Sequence, residues 1–328
     1  MSITVIGAGI LGLYTVFELL EEGIDPKSIN MVAQYIPGDQ SPDYTSPYAG
    51  AYFSLTIGEE SLPLSSYTYE KLEVLKSKLG DNCGLGKCWS TEYQHEPLEE
   101  DYLKKLSFAN YEIVESSDPR IAHGVKYMAW VFNPPKFTQS IMKYVLDKGV
   151  SLEVKRLNHI KEINTPIIFN CSGNGAKKLG GVEDSTCYPV RGQVVVIRAP
   201  HINECVSFWS EDESTYIIKR PDSNTDECIL GGFYQDNVGD MSTYGFETKD
   251  ILERTSSIYP KILNGGTIDD LQILRVVAGL RPGRKDGPRI EVEKIETGHI
   301  IHNYGAEGSG YLFGLGMAHK AVKKFLEI

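Results

Sequence analysis

Residues 3–12 read ITVIGAGILG: a short buried-strand pattern, ITVI, runs straight into glycines at 7, 9 and 12, and Ile10, Leu13, Phe17 and Leu20 then repeat at helical spacing. A strand, a glycine turn and a helix in that order constrain the fold more than anything else in the chain. The turn brings bare backbone N–H groups and the positive end of a helix dipole to one point, which is a site for phosphate. Glycine lets the turn tighten and lets the backbone approach the anion, so the motif asks for a dinucleotide pyrophosphate at the edge of a parallel sheet. The second strand is INMVA at 29–33, and the residue after it is Gln34. Such sites usually place an acidic residue there, about twenty residues on, against the adenosine ribose. An amide can hydrogen-bond a ribose hydroxyl only without charge assistance, so the departure weakens the ribose contact and leaves the pyrophosphate contact intact.

A second glycine-rich stretch lies near the C-terminus, where Gly305, Gly308, Gly310, Gly314 and Gly316 open onto a helical pattern. It follows an apolar run, VVAGL, that ends in Arg281. The two ends of the chain are expected to meet around one cofactor. Between them the order is discontinuous. A helical pattern at about 135–148 leads into SLEVKRL and IIFNCSG, RIEVE and HIIHN follow late in the chain, and a terminal helix spans about 310–326. The blocks 55–133 and 183–272 carry strand signals such as QVVVIRA, TYIIKR and ECILGGFY. The expected fold is therefore α/β. A doubly wound, Rossmann-like nucleotide domain is assembled from 1–54, 134–182 and 273–328, and an interleaved antiparallel-sheet substrate domain from 55–133 and 183–272.

Composition narrows the function classes. With 33 basic against 44 acidic residues the net charge is −11 and no basic stripe is visible, which argues against nucleic acid as a partner. No apolar run approaches the roughly 18 residues that span a bilayer, and the first strand begins at once, so neither a membrane span nor a signal peptide is expected. Six cysteines in a chain read as intracellular are expected to be free thiols. Cys83 and Cys88 are the only close pair and lack a second Cys/His pair, so no metal is expected. His302 is expected to pack and hydrogen-bond, not to act as a base.

Across nearly its whole length the chain resembles the D-amino-acid oxidase family, its yeast members above all. The resemblance rests on GAGILGLY at 7–14, PGDQSPDYTSPYAGAYFS at 37–54, FNPP at 132–135, FNCSGNGAKKLGG at 169–181 and YPVRGQVVVIRAP at 188–200. It continues through TYIIKRP at 215–221, LGGFYQ at 230–235, AGLRPGR…GPRIE at 278–291 and HNYGAEGSGY at 302–311. The order GLRPxR, RIE, HNYG is the most specific part. The resemblance implies FAD as cofactor and oxidative deamination of a D-amino acid. Hydride passes from the substrate Cα to flavin N5, O2 is reduced to H2O2, and the imine hydrolyses to a 2-oxo acid and ammonia. The implied partners are thus a small D-amino acid and O2, with a homodimer as the possible assembly. A glycine- or sarcosine-type amine oxidase and an inactive nucleotide-binding protein remain as alternatives.

The same resemblance assigns residues. Arg281 matches the arginine that takes the substrate carboxylate bidentately, a geometry lysine cannot reproduce. Tyr216 and Tyr234 match the two active-site tyrosines, and the Gly308 carbonyl is matched to the substrate amine. For FAD it adds Ala8, Ile10 and Leu11 in the first turn, and Thr45, Ser46, Ala49, Gly50 and Ala51 near the flavin ring. Ser172 and Gly173 are placed near the pyrophosphate and ribityl chain, and the loop Gly308, Ser309, Gly310, Tyr311, Leu312 at the flavin ring. Arg191 and Gln193 are expected to hold the two domains together. Family members often end in a peroxisomal tripeptide of the SKL kind, whereas this chain ends in LEI, so the expected location is the peroxisome by resemblance and otherwise the cytosol.

Side-chain preference is read from the residues around the expected pocket. Leu312 stands where the yeast enzymes tend to carry glutamine, and Tyr52, Phe53, Tyr216 and Tyr234 supply aromatic surface, which favours small to medium neutral substrates. Lys219 and Arg220 follow Tyr216, and a cation reaching the pocket would favour D-aspartate. Alternation along the strand puts Lys219 on the opposite face from Tyr216.

Overall fold

In a computed structural model, which describes residues 2–56 and 58–328, the apolar run Ile3–Ile6 lies inside a six-stranded sheet. Across that sheet the strands are Arg289–Ile295, Gly298–Tyr304, Ile167–Asn170, Ile3–Ile6, Ile29–Ala33 and Ser151–Val154. All neighbours pair in parallel except the edge strand Arg289–Ile295. The central strand is buried on both faces, which is why it is apolar apart from Thr4, whose hydroxyl accepts from Thr165 Oγ1 at 2.9 Å. Ile3 and Val5 face the helices, while Ile6, Ile168 and Ile300 pack on Ile160, Leu179 and their neighbours.

The helix Ile10–Glu21 is buried from Ile10 to Leu19 because it lies among the sheet, the helix Pro134–Asp147 and the terminal helix Gly310–Leu326. Glu18 is caught in this packing. Its carboxylate accepts from the Tyr67 hydroxyl at 2.8 Å and lies 3.3 Å from His319 Nδ1, and the Tyr67 and His319 rings stack with centroids 4.1 Å apart. Burial, opposed in part by the Tyr67 hydrogen bond and Lys71, pushes the Glu18 carboxyl up from 4.5 to about 7. Between those values the folded protein keeps a proton that the unfolded chain has lost, so stability falls as pH rises through this window. Glu18→Gln is therefore expected to stabilise the protein above neutral pH by about 3 kcal/mol and to have little effect near pH 4.5. Thermal melts of both forms across that range check it. Parallel curves for the two proteins would show that Glu18 does not titrate this way.

Among the described residues the second sheet has nine strands, and the long strand Cys187–Arg198 is its hub. It pairs antiparallel with Glu227–Gly231, Gln235–Asp236 and Ile273–Arg284. The sheet continues through Ser214–Lys219, Cys205–Trp209, Leu85–Gln94, His123–Phe132 and Glu112–Val114. Two features differ from the sequence expectation. Leu85–Gln94 pairs in parallel with Cys205–Trp209, so the sheet is mixed. The stretch 273–284, grouped above with the nucleotide domain, forms a strand of this second sheet and carries Arg281 across to the first body. A third feature was not anticipated. The helix Leu62–Leu79 lies in the strand-rich block 55–133, yet its Thr68 Oγ1 accepts from the Gly316 N–H at 3.0 Å, fastening it to the terminal helix.

His302 behaves as expected: it is fully buried, 3.2 Å from the Asn170 amide through Nδ1 and 3.0 Å from Glu293 through Nε2. The six cysteines are free thiols. Cys83 is buried apart from Cys88, whose sulfur lies 3.3 Å from that of Cys205. Among the described residues no helix is long and apolar enough to cross a membrane.

Candidate active site

A cavity of about 880 Å³ runs between the two sheets, from the first glycine turn to the strand bearing Arg281. Its volume is that of a site for a large organic ligand. At one end Gly7 leaves the first strand with φ of +100°, and its N–H donates to the Val32 carbonyl at 2.9 Å. An added Cβ at Gly7 would sit 2.5 Å from the Cys171 carbonyl oxygen, so the two strand ends close on each other only through glycine. Ala8, Gly9, Ile10 and Leu11 line the cavity beside it. Gln34 lines it too, exposed at the end of the second strand, with its amide donating to the Tyr35 hydroxyl at 2.9 Å. Gly12, grouped with the cofactor residues, does not line the cavity. Its added Cβ would lie 2.0 Å from the Gly7 carbonyl oxygen, so its part is to let helix and turn close.

The helix Ile10–Glu21 has no side-chain cap of its own at Gly9, and the Ile10 N–H is met instead by Ser46 Oγ at 2.9 Å. Ser46 belongs to the segment 45–51, which crosses the cavity. Thr45 Oγ1 donates to the Leu280 carbonyl at 2.7 Å, and the Tyr311 hydroxyl donates to the Ser46 carbonyl at 3.0 Å. Ala51 holds a left-handed backbone with φ of 57°. A non-glycine residue in that region is strained, and such strain gathers at functional sites. Thr45, Ser46, Ala49, Gly50 and Ala51 all line the cavity, as do Ser172, Gly173, Gly308, Ser309, Gly310, Tyr311 and Leu312.

At the other end Arg281 lies with its guanidinium carbon 4.0 Å from the Tyr234 ring centroid, and its Nη1 donates to the Phe233 carbonyl at 2.9 Å. The guanidinium rests on Gly192, where any Cβ would overlap it, and the Tyr216 ring rests on Gly231 and Gly232 in the same way. Burial raises the Tyr216 phenol above its ordinary value, opposed by the Arg281 charge. A Cβ at Gly308 would lie 3.1 Å from the Tyr234 hydroxyl and 3.4 Å from Arg281 Cδ. Arg281, Tyr216, Tyr234 and Gly308 are thus brought together from four separate segments.

Other expected residues lie elsewhere. Phe53 is fully buried against Tyr69, with ring centroids 5.0 Å apart, and is not part of the cavity wall. Arg220 is paired with Glu227 at 2.7 Å, and Lys219 Nζ reaches the Ala199 carbonyl at 3.4 Å, so neither cation enters the cavity. Arg191 and Gln193 do not join the two bodies. Arg191 forms a buried ion pair with Glu247 at 2.9 Å, and Gln193 bonds the Tyr244 carbonyl at 3.0 Å, both within the second body. Sequence reading missed Gly192, Gly231, Tyr44, whose hydroxyl donates to the Ala8 carbonyl at 2.9 Å, and Asn174, whose amide donates to the Leu280 carbonyl at 3.1 Å. No local signal marks them, because each acts on a partner remote in sequence.

The first turn and its surroundings fit an FAD. The buried Ser172 Oγ lines the cavity with no protein partner, beside glycines that keep side chains out of the space a pyrophosphate needs. The terminal helix begins at Gly310 without a side-chain cap, so a second positive helix end faces the same cavity.

Comparison with known proteins agrees. The chain is 35% identical to a D-amino-acid oxidase of Schizosaccharomyces pombe, with 98% of this chain and 95% of that protein covered. It is 29% identical to a D-aspartate oxidase of Cryptococcus neoformans, with 98% and 96% covered. Among solved structures, a glycine oxidase of Bacillus cereus superposes with a TM-score of 0.76 at 17% identity, over 100% of this chain and 95% of the other, which establishes the shared fold. The profile described as DAO, FAD dependent oxidoreductase, matches residues 2–323, and the chain belongs to that FAD-dependent family.

Proposed function

We propose that this protein oxidatively deaminates D-amino acids, neutral ones in preference to acidic ones. The observation that carries the reading is Arg281. Its fork opens into the cavity beside Tyr216, Tyr234 and Gly308, with one N–H fixed on Phe233 and, among the described residues, no salt-bridged carboxylate. A planar guanidinium with free donors suits a carboxylate taken bidentately. The Tyr216 hydroxyl adds a donor to the same carboxylate, the Tyr234 ring covers it, and the Gly308 carbonyl accepts from the substrate amine. These contacts hold the substrate Cα–H in one orientation, so the chain supplies position and electrostatics. FAD, when bound, supplies the two-electron acceptor. Similarity to the fission-yeast D-amino-acid oxidase supports the substrate class, and the absence of Lys219 and Arg220 from the cavity wall supports the neutral preference.

The purified protein is expected to be yellow, with one FAD per chain released by acid or heat. Peroxide production is expected with D-alanine, more weakly with D-aspartate, and less again with glycine. A kcat/KM favouring D-aspartate by tenfold or more would make it a D-aspartate oxidase, and a colourless protein that cannot be reconstituted with FAD would overturn the reading. A homodimer belongs to the same proposal, and light scattering on the FAD-loaded protein tests it.

A further inference from the structure

We propose that Glu92 sets the charge preference of the substrate pocket, as a buried carboxylate standing one hydroxyl layer behind the cavity wall; this rests on the D-amino-acid reading above. Glu92 lies on the strand Leu85–Gln94 and is fully buried. Its Oε1 accepts from the Leu55 N–H at 2.9 Å and meets the Tyr127 hydroxyl. Its Oε2 accepts from the Thr56 N–H at 3.1 Å, Thr56 Oγ1 at 2.6 Å and Ser54 Oγ at 3.1 Å. Among the described residues it has no ion-pair partner. The two backbone N–H groups can only donate, and they divide between the two oxygens. A lone carboxylate is costly to bury, and a converging set of donors like this one is what offsets the cost.

The position of that charge gives it a function. From the Arg281 end the cavity wall runs from Tyr216 to Trp209, with ring centroids 6.3 Å apart. The Ser207 hydroxyl then receives both Trp209 Nε1 and the Tyr52 hydroxyl at 3.0 Å. Ser54 and Thr56 line the same cavity, with Glu92 directly behind them. Because both hydroxyls spend their protons on Glu92, they turn lone pairs towards the cavity. Thr56 Oγ1 also accepts from the Gln94 amide at 2.6 Å, which leaves its proton for Glu92. The wall therefore offers acceptors backed by a negative charge in a low-dielectric setting, where repulsion between like charges extends across several ångströms. A substrate side chain ending in a carboxylate is turned away, and one ending in a donor or a cation is favoured.

Three carboxylates of equal length test the sign of this field: butyrate, succinate and 4-aminobutyrate, titrated calorimetrically into the FAD-loaded protein at neutral pH. Each can place one carboxylate on Arg281, and they differ at the far end. Succinate and 4-aminobutyrate both carry a charge into the pocket, so their comparison separates the sign of the field from the cost of desolvation. Succinate is expected to bind at least about tenfold more weakly than 4-aminobutyrate, and Glu92→Gln to narrow that gap at least about threefold. The same substitution should raise the D-aspartate to D-alanine ratio of kcat/KM, mainly through KM, whereas a loosened wall would lower both substrates together. Equal binding of succinate and 4-aminobutyrate by the wild type overturns the proposal, and so does a gap unchanged in Glu92→Gln. The latter is the result expected if the donors gathered on Glu92 cancel its field before it reaches the cavity wall. If Glu92→Gln does not fold, the wild-type comparison decides alone. If the wild type oxidises no D-amino acid, the functional reading fails while the three ligands still report the field.

Discussion

Arg281→Ala is expected to lower kcat/KM for D-alanine by about 30-fold to several-thousand-fold while FAD stays bound, the range that follows from losing one partner of a buried charge-assisted pair at about 2–5 kcal/mol. The guanidinium is held by the Phe233 carbonyl, the Tyr234 face and the bare backbone of Gly192, so its orientation is set before any substrate arrives. Removing it leaves the substrate carboxylate opposite Tyr216 alone. Lysine should restore little, since a point charge on a flexible stem can neither present two parallel N–H groups nor keep the bond to Phe233. Kinetics with D-alanine, alongside the flavin absorbance of each variant, check both statements. Activity within a few-fold of wild type in Arg281→Ala would place the carboxylate anchor elsewhere.

The parts of this site legible in the sequence are those whose determinants are local. The strand, turn and helix at 3–21 carry their own periodicity and glycines, and the second strand Ile29–Ala33 fell where its apolar run ends. The alternation that placed Lys219 on the far face from Tyr216 is equally local. The helix Leu62–Leu79 was hidden because its buried positions include Ser65 and Thr68, which break the apolar stripe. Thr68 is polar where the terminal helix approaches closely at Gly316, whose N–H it accepts, a fact written elsewhere in the chain. Gly192 and Gly231 were illegible for the same reason: each is bare so that Arg281 or Tyr216 can lie across it, and only strand pairing brings them together. Glu92 gave no signal either, since its donors come from residues 54–56 and 127.

Gly12→Ala is expected to weaken FAD binding by at least about 100-fold, near 3 kcal/mol, at the upper end of what overpacking usually costs. The added methyl would lie 2.0 Å from the Gly7 carbonyl oxygen and 2.9 Å from its carbon, and both are backbone atoms. They cannot yield, because Gly7 is tied to the Val32 carbonyl on one side and closed against the Cys171 carbonyl on the other. The helix must therefore lift from the turn, and its first N–H groups move away from the place where the pyrophosphate is held. A surface glycine gives the contrast. Gly245 has nothing within 4 Å of an added Cβ and lies at the start of a helix, so Gly245→Ala should leave FAD affinity unchanged. Titration of each apoprotein with FAD, followed by quenching of flavin fluorescence, measures the effect without relying on turnover. Retention of FAD within about tenfold of wild type by Gly12→Ala would mean that the turn and helix can part without loss, and that the third glycine of the motif is there for some other reason.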